Sequence, residues 1–326
     1  MTVRFSVLIP TYNREKLIRQ TIDSVLSQSF MDYEVIVVDD GSTDRTPQLL
    51  ESYGTRIQHY RQQNQGVEVA RNKAASLAQG EYLCMLDDDD VFLPCTLATY
   101  EQVIRHCDGP PLIVGALAFF EDGKPVPVNA PAGAPIKLFQ YPDFFAKDRP
   151  YFYTNSRIVM RRSVFDQIGG YGYAGERMFL PIEDLTLLFK AGRYGPCVIV
   201  HEPYTVARRE HATNAIRNLA ATADGILDLV RMDKLGRFSG GWHQRLGRYA
   251  VIGGLAWWWA FRHCWPEKQR KVALRLFFGA APMIAVKRVT RLMQYFRKLS
   301  PPIFLPPLEL PQVGDVEQVS DQAASG

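Results

Sequence analysis

Four consecutive carboxylates, Asp87, Asp88, Asp89 and Asp90, follow directly on an apolar run, Tyr82-Leu83-Cys84-Met85-Leu86. Carboxylates about 5 Å apart repel by roughly 3 kcal/mol per pair at an effective dielectric of about 20. A fold that sets four of them at the end of a buried strand must protonate some of them or supply a cation. Mg²⁺ or Mn²⁺ is the obvious compensator, because carboxylate oxygens are hard ligands. Two further acidic groups stand out. Asp39-Asp40 closes a second apolar run, Glu34 to Val38, and Gly41-Ser42 beside it lets the backbone turn tightly. A carboxylate there can accept a hydrogen bond from a base N–H or from ribose hydroxyls. Glu183-Asp184 stands at the start of a helical stretch, Leu185 to Lys190.

Other chemistries fail on spacing. Gly170-Tyr171-Gly172-Tyr173-Ala174-Gly175 matches G-x-G-x-x-G, but it follows a predicted helix instead of a strand, so a dinucleotide loop is excluded. There is no G-K-S/T phosphate loop. Counted from Asp87 as an EF-hand, position 6 is Phe92 and position 12 is Ala98, where Gly and Glu are required. The five cysteines (84, 95, 107, 197 and 264) are odd in number and form no C-x-x-C pair, which predicts reduced thiols.

The elements that must position these carboxylates alternate. Phe5–Ile9, Glu34–Val38, Ile57–Tyr60 and Tyr82–Leu86 read as strands. Between them lie a helix from Leu17 to Leu26 that Asn13 can cap, a short helix that Asp44 can cap, and an Ala-rich helix, Val67–Leu77, stopped by Gly80. Short loops with this alternation predict a doubly wound, mixed, mostly parallel α/β sheet. In such a sheet Asp39-Asp40 and the Asp quartet open on one edge and share a crevice. Further on, Leu112–Phe119 reads as a strand, 130–133 as loop, Ile158–Ile168 as an edge strand with a short helix, and Val198–Val200 as a late strand.

Ordered along residues 4–100, Ser6-Val7-Leu8-Ile9-Pro10-Thr11-Tyr12-Asn13-Arg14, Val35 to Asp44, Gly66 with Ala70-Arg71-Asn72, and Leu86 to Asp90 with Pro94 resemble family 2 glycosyltransferases of the GT-A fold. Gly169-Gly170-Tyr171, Glu183-Asp184 and Arg208/Arg209 with His211 extend the resemblance to about residue 215. The resemblance implies roles. Pro10, Thr11 and Tyr12 line a nucleotide pocket, Asp39/Asp40 sit beside it, and Asp40 holds the base, most often uracil. Arg71 lies near the base or diphosphate. Asp87-Asp88-Asp89 is the D-x-D motif, with Asp89 on Mn²⁺ or Mg²⁺ and Asp88, or Asp87 in its place, on the ribose; four adjacent Asp residues leave that register open by one. Asp184 is the catalytic base, and His211 resembles a late His that reaches the metal or diphosphate. The implied enzyme moves a sugar from a nucleotide sugar, a UDP-sugar foremost, to an acceptor hydroxyl with inversion. The alternatives are a sugar nucleotidyltransferase and a non-catalytic nucleotide-sugar or membrane-binding protein.

The bulk composition, 326 residues with 47% hydrophobic and 22% charged, is ordinary for a globular chain. Its charge is uneven. Residues 231–300 hold 15 Lys and Arg against 2 Asp and Glu, which leaves the rest acidic in a chain of net charge +4. A basic segment faces an anionic partner, and Trp257-Trp258-Trp259 with a basic amphipathic stretch, Ala285–Leu299, favours a membrane surface over nucleic acid. The longest apolar run, Tyr249–Phe261, is too short to span. The expected division is a GT-A domain at 1–215, a helical, basic, membrane-associated region at 216–300 and a Pro-rich, then acidic, disordered tail at 301–326. Partners are a nucleotide sugar donor, a glycan or lipid-linked acceptor and a membrane touched through 240–300, with no nucleic acid. Met1-Thr2-Val3-Arg4 leaves no room for a signal peptide, so the expected location is cytoplasmic, at the inner face of the membrane.

Overall fold

Strand and helix alternate as the hydrophobic periods require. The computed structural model describes residues 3–127, 135–146, 154–172, 182–211, 218–287 and 300–308. The first part runs β1 (Phe5–Thr11), α1 (Ile18–Leu26), β2 (Tyr33–Asp39), α2 (Thr46–Glu51), β3 (Gln58–Arg61), α3 (Val67–Leu77) and β4 (Tyr82–Met85). There follow β5 (Val91–Phe92), α4 (Thr96–His106), β6 (Leu112–Val114), β7 (Leu117–Glu121), β8 (Ile136–Tyr141), β9 (Ile158–Arg161), α5 (Arg162–Ile168), α6 (Glu183–Ala191), β10 (Cys197–Glu202) and β11 (Val206–Glu210). The helices α7 (Leu219–Lys234), α8 (Trp242–Trp259) and α9 (Arg270–Gly279) follow, and β12 (Ile303–Leu305) comes after them.

The strands form a nine-stranded sheet, β12-β8-β10-β6-β9-β4-β1-β2-β3, and a small one, β5-β11-β7. The parallel half, β4-β1-β2-β3, holds the first hundred residues, with Thr11 opposite Asp39 and Leu8 opposite Met85. The Leu86 N–H still donates to the Leu8 carbonyl (3.0 Å), so the register continues beyond β4 and delivers the quartet to the edge where β1 and β2 end. Alternate side chains feed two cores. Leu8, Ile36, Val38 and Met85 pack with α3 and α6, while Val7, Ile9, Val37 and Cys84 pack with α1 and α4.

Several elements differ from expectation. Leu112–Phe119 breaks at Gly115 into β6 and β7, which belong to different sheets; a Cβ on Gly115 would lie 2.2 Å from the Tyr100 hydroxyl. β9 is central, antiparallel to both β6 and β4, and not an edge. Asn13 does not cap α1. It sits at φ +54° and its Oδ1 accepts from the Thr43 N–H (2.7 Å), whereas the Arg14 carbonyl accepts from Leu17 and Ile18. The N-cap position of α2 is Arg45, and Asp44, one residue before it, accepts from the Thr46 N–H (2.9 Å). Gly80 is needed less as a stop than for packing, since a Cβ there would meet the Ser6 nitrogen at 2.5 Å. The tail expected to be disordered from residue 301 supplies β12, paired antiparallel with β8; residues 309–326 lie outside the described residues, as do 130–133 and the 288–299 part of the expected basic helix. Where helical periodicity dominates after residue 215, the described chain forms α7, α8 and α9.

The helical region shares a core with the sheet. Phe189 of α6 packs edge-on against Phe238 (5.3 Å), and Trp259 is buried with its Nε1 donating to the Leu219 carbonyl. Asp233 and Arg248 are buried together, Nε to Oδ1 at 2.8 Å, and Arg245 lies 3.2 Å from the other oxygen. Removing one partner of such a pair strands the other charge, so Asp233→Ala is expected to destabilise the chain by about 3–5 kcal/mol. Replacing both with Asp233→Leu and Arg248→Met is expected to cost less. Urea unfolding followed by Trp fluorescence checks this directly, because all five Trp residues lie between 242 and 265.

Candidate active site

The strand ends surround a cleft of about 440 Å³. Pro10, Thr11 and Tyr12 line it from the end of β1, Asp40 from the end of β2, and the whole quartet from the end of β4. Arg71 of α3 and Glu183 and Asp184, the first residues of α6, complete the wall. The Asp40 carboxylate accepts from Gln62 Nε2 (2.8 Å) and from the backbone N–H groups of Gln65 (2.9 Å) and Gly66 (2.8 Å), which ties down the loop leading into α3. Asp39 does not line the cleft. Pleating turns it to the other side, where it accepts from the Ser42 N–H (2.9 Å) beside Arg61 (3.4 Å).

The four aspartates have four sets of partners. Asp87 accepts from Arg71 (2.7 Å). Asp88 accepts from Arg14 Nε (3.1 Å), with the Tyr12 N–H at 3.4 Å. Asp89 Oδ2 lies 2.8 Å from His211 Nε2. Asp90 accepts from the Ser156 hydroxyl (2.6 Å) and the Arg209 N–H (3.1 Å). Arg71 has a second partner, donating to Glu183 Oε1 at 2.9 Å, so one guanidinium joins the quartet to α6. The ring of Tyr171 covers it, 5.2 Å from centroid to guanidinium.

The rejected glycine run supports that cover. Asn72 accepts from the Tyr171 N–H (2.8 Å) and donates to the Tyr171 carbonyl (3.0 Å). The Lys190 ammonium donates to the carbonyls of Gly170 (2.6 Å) and Gly172 (2.9 Å). Gly170, Tyr171 and Gly172 are therefore a turn clamped over Arg71, preceded by α5 as expected; 173–175 lie outside the described residues. Arg14, Asn64, Thr154, Asn155 and Arg208 also line the cleft, and none was singled out from sequence as a site residue. Arg14 had the clearest signal, closing the Thr-Tyr-Asn-Arg run; Asn64 and Thr154 had none.

A profile of the family described as Glycosyl transferase family 2 matches residues 6–169, half of the sequence and most of this cleft. The chain belongs to glycosyl transferase family 2. It is 39% identical over 104 residues to the GalNAc(5)-diNAcBac-PP-undecaprenol beta-1,3-glucosyltransferase of Campylobacter jejuni, covering 30% of this chain and 34% of that one. The matched region spans about a third of the length of the first curated relatives it resembles. Among solved structures, S. aureus TarS 1–349 in complex with UDP-GlcNAc superposes with a TM-score of 0.52 at 19% identity, over 90% of this chain and 93% of that one. The mannosyltransferase PcManGT from Pyrobaculum calidifontis, in complex with GDP-Man and Mn²⁺, gives 0.54 at 17%, over 90% and 81%. This family 2 chain thus has the GT-A glycosyltransferase fold, the mixed and mostly parallel α/β architecture expected.

Protonation in this family 2 cleft follows from crowding. Burial, then the Asp89 charge, pushes Asp88 up to about 7 against the pull of Arg14. Burial raises Asp87 despite Arg71, and burial with Asp89 beside it raises Asp90 well above the usual range. Burial opposes ionisation of Asp89 too, but the His211 hydrogen bond and Arg14 hold it below its ordinary value. Burial and Glu183 push Asp184 and Glu68 each up to about 7. A raised carboxyl binds its proton more tightly folded than unfolded, where the value is about 4. Its stabilisation is complete below that unfolded value and is lost as pH rises through the folded one. In EDTA the melting temperature is therefore expected to fall as pH climbs from about 5 through about 7, and Asp88→Asn is expected to flatten that slope; differential scanning calorimetry over this range checks both.

Proposed function

We propose that this chain is a metal-dependent, inverting glycosyltransferase that moves a sugar from a nucleotide sugar, a UDP-sugar foremost, to an acceptor hydroxyl in cell-surface polysaccharide or glycolipid synthesis. The observation that carries the reading is the shared cleft: Asp184 at the start of α6 and Asp88/Asp89 after β4 both line it, and Arg71 bridges their neighbours Glu183 and Asp87. The two carboxylate groups belong to different elements, as a displacement with separate leaving-group and acceptor sides requires.

Each residue has a chemical task in this reading. Pro10, Thr11 and Tyr12 form the wall for the base. Asp40 has three of its roughly four acceptor sites filled by protein donors, which leaves one for a base N–H. Asp88, or Asp87, accepts from the ribose, and Arg14 and Arg208 bring positive charge to the diphosphate. Asp89 and His211 are the residues to hold Mn²⁺ or Mg²⁺. A carboxylate oxygen and an imidazole nitrogen suit such an ion, which keeps waters and takes substrate phosphates as further ligands. That coordination fits a site where, among the described residues, no three His, Cys, Asp or Glu side chains cluster as ligands. The bound ion supplies charge against the departing diphosphate.

Asp184 takes the proton of the acceptor hydroxyl. A base titrating at about 7 is matched to neutral pH. Its carboxylate is held at the helix start, with Oδ1 accepting from the Leu185 N–H (2.7 Å). Attack from its side, opposite the leaving diphosphate, inverts the anomeric carbon. The UDP-GlcNAc of TarS and the GDP-Man of PcManGT support a nucleotide-sugar donor, and the undecaprenol-linked substrate of the Campylobacter relative supports a lipid-linked acceptor. Among the described residues no helix is long and apolar enough to cross a membrane, so contact there would be peripheral.

Calorimetric titration with UDP, GDP, dTDP and CMP, in Mn²⁺ and in EDTA, tests the site. One nucleotide is expected to bind only with metal, and Asp89→Asn is expected to abolish that binding. No binding to any of them would overturn the reading. Asp184→Asn is expected to keep nucleotide binding and to lower turnover of the donor by about 10²–10⁴-fold, the usual range for a general base. Wild-type kcat/KM is expected to rise with pH through about 7 as the Asp184 carboxyl ionises, then level off; a pH–rate profile of nucleoside diphosphate release reads this.

A further inference from the structure

The α8–α9 corner carries an aromatic surface that the catalytic reading does not use. Trp257 and Phe261 pack at 4.3 Å between ring centroids, Phe261 and Trp265 at 6.1 Å, Phe261 and Phe277 at 5.7 Å, and Phe277 and Phe278 at 5.4 Å. This continuous set of rings is open to solvent: Phe278 is 68% exposed, Trp265 44% and the neighbouring Leu274 45%. Contiguous exposed aromatic surface on a soluble fold marks an interaction site. Trp259 of the same helix turns inward, stacked on His263 (4.4 Å) and buried, so the exposed rings are not simply an unpacked helix.

The charges around the rings are mainly positive. Arg262, Lys268, Arg270 and Lys271 are exposed on this corner, and Glu267 is the lone acid between 257 and 278. The Arg270 guanidinium lies 5.7 Å above the Trp265 ring, so cation and aromatic share one face. A second copy of this chain is a poor occupant, because a symmetric contact would bring two sets of these cations together. An anionic bilayer suits both halves of the surface. Trp and Phe rings settle at the headgroup level, and Lys and Arg lay their stems along apolar surface while their charges reach lipid phosphates.

We infer that the aromatic and basic face formed by Trp257, Phe261, Trp265, Arg270, Lys271 and Phe278 docks the protein peripherally on a membrane surface rich in anionic lipid. The inference rests on the membrane part of the reading above and gives it a surface. Docking needs neither nucleotide nor metal, so its test separates from that of the transferase.

The test is sedimentation of the full chain with phosphatidylcholine vesicles, with and without phosphatidylglycerol. Binding to the anionic vesicles alone, weakened by added salt, is expected. Each Lys or Arg near an anionic surface contributes about fivefold in partitioning, so Arg270→Glu with Lys271→Glu is expected to lower binding by more than about tenfold. Trp265→Ser with Phe278→Ser is expected to lower it comparably, while Phe119→Ser, exposed on β7, leaves it unchanged. Circular dichroism and nucleotide titration report whether each variant is folded; if the aromatic pair is not, the charge reversal decides. The inference is overturned if wild type ignores anionic vesicles, if the folded variants bind as wild type does, or if light scattering shows a dimer that the aromatic variant dissociates. Vesicle binding without nucleotide binding would sink the transferase reading and leave this one standing; the converse would do the opposite.

Discussion

Arg71 is almost wholly buried, and its guanidinium is shared between Asp87 after β4 and Glu183 at the head of α6. A buried cation is tolerable only with close, well-aligned carboxylates, and the planar fork of arginine can serve two at once. Burial alone would favour deprotonation, yet Asp87 and Glu183 drive the group the other way and keep it charged. The consequence is geometric. Asp87 and Glu183 are 96 residues apart in sequence, and a single side chain fixes the spacing between the wall bearing the quartet and the wall bearing Asp184. Tyr171, held by Asn72 and by Lys190 at the flanking carbonyls, packs its ring over that guanidinium.

The quartet follows the same logic. Four like charges in succession are tolerated because successive side chains point to different partners: Arg71, Arg14, His211, and Ser156 with the Arg209 N–H. The compensation is incomplete. Seven carboxylates line the cleft against the guanidinium groups of Arg14, Arg71 and Arg208. A nucleoside diphosphate entering a cleft of that sign would be repelled unless a cation came with it. Burial above all, with neighbouring carboxylates adding to it, raises Asp87, Asp88, Asp90 and Asp184, and a divalent ion in the cleft would offset the same negative charge. The negative charge that a divalent ion would offset thus belongs to the whole lining and not to Asp89 alone.

What could be read from sequence was what depends on local pattern. β1, β2, β4 and α3 follow from apolar period and length, and their parallel order places Asp40 and the quartet on one edge. What could not be read depends on contacts across the chain. Asp39 and Asp40 are equivalent as letters, and only the pleat decides that Asp40 faces the cleft. The roles within the quartet are set by Arg14 and His211, which lie 74 and 122 residues away from their partners. Gly115 reads as part of a strand but breaks it, because Tyr100 and Thr205 occupy the space a side chain would need. β12 is three residues between prolines, too short for any period, and exists because β8 offers a free edge.

α6 links these local solutions to the rest of the molecule. Its first turn carries Glu183 and Asp184 into the cleft, whereas Phe189, near its other end, packs on Phe145 (5.7 Å) and on Phe238 of the helical region. Arg248, paired with Asp233, lies 5.7 Å from both the Phe145 and the Phe238 rings. The helix bearing the proposed base is therefore held at its head by Arg71, through Glu183, and packed near its other end against Phe145 and Phe238. Close-packed interiors transmit position and leave little slack. A bilayer bound at α8–α9 as inferred would thus be linked to the helix bearing the proposed base through the packing of Arg248, Phe238, Phe145 and Phe189.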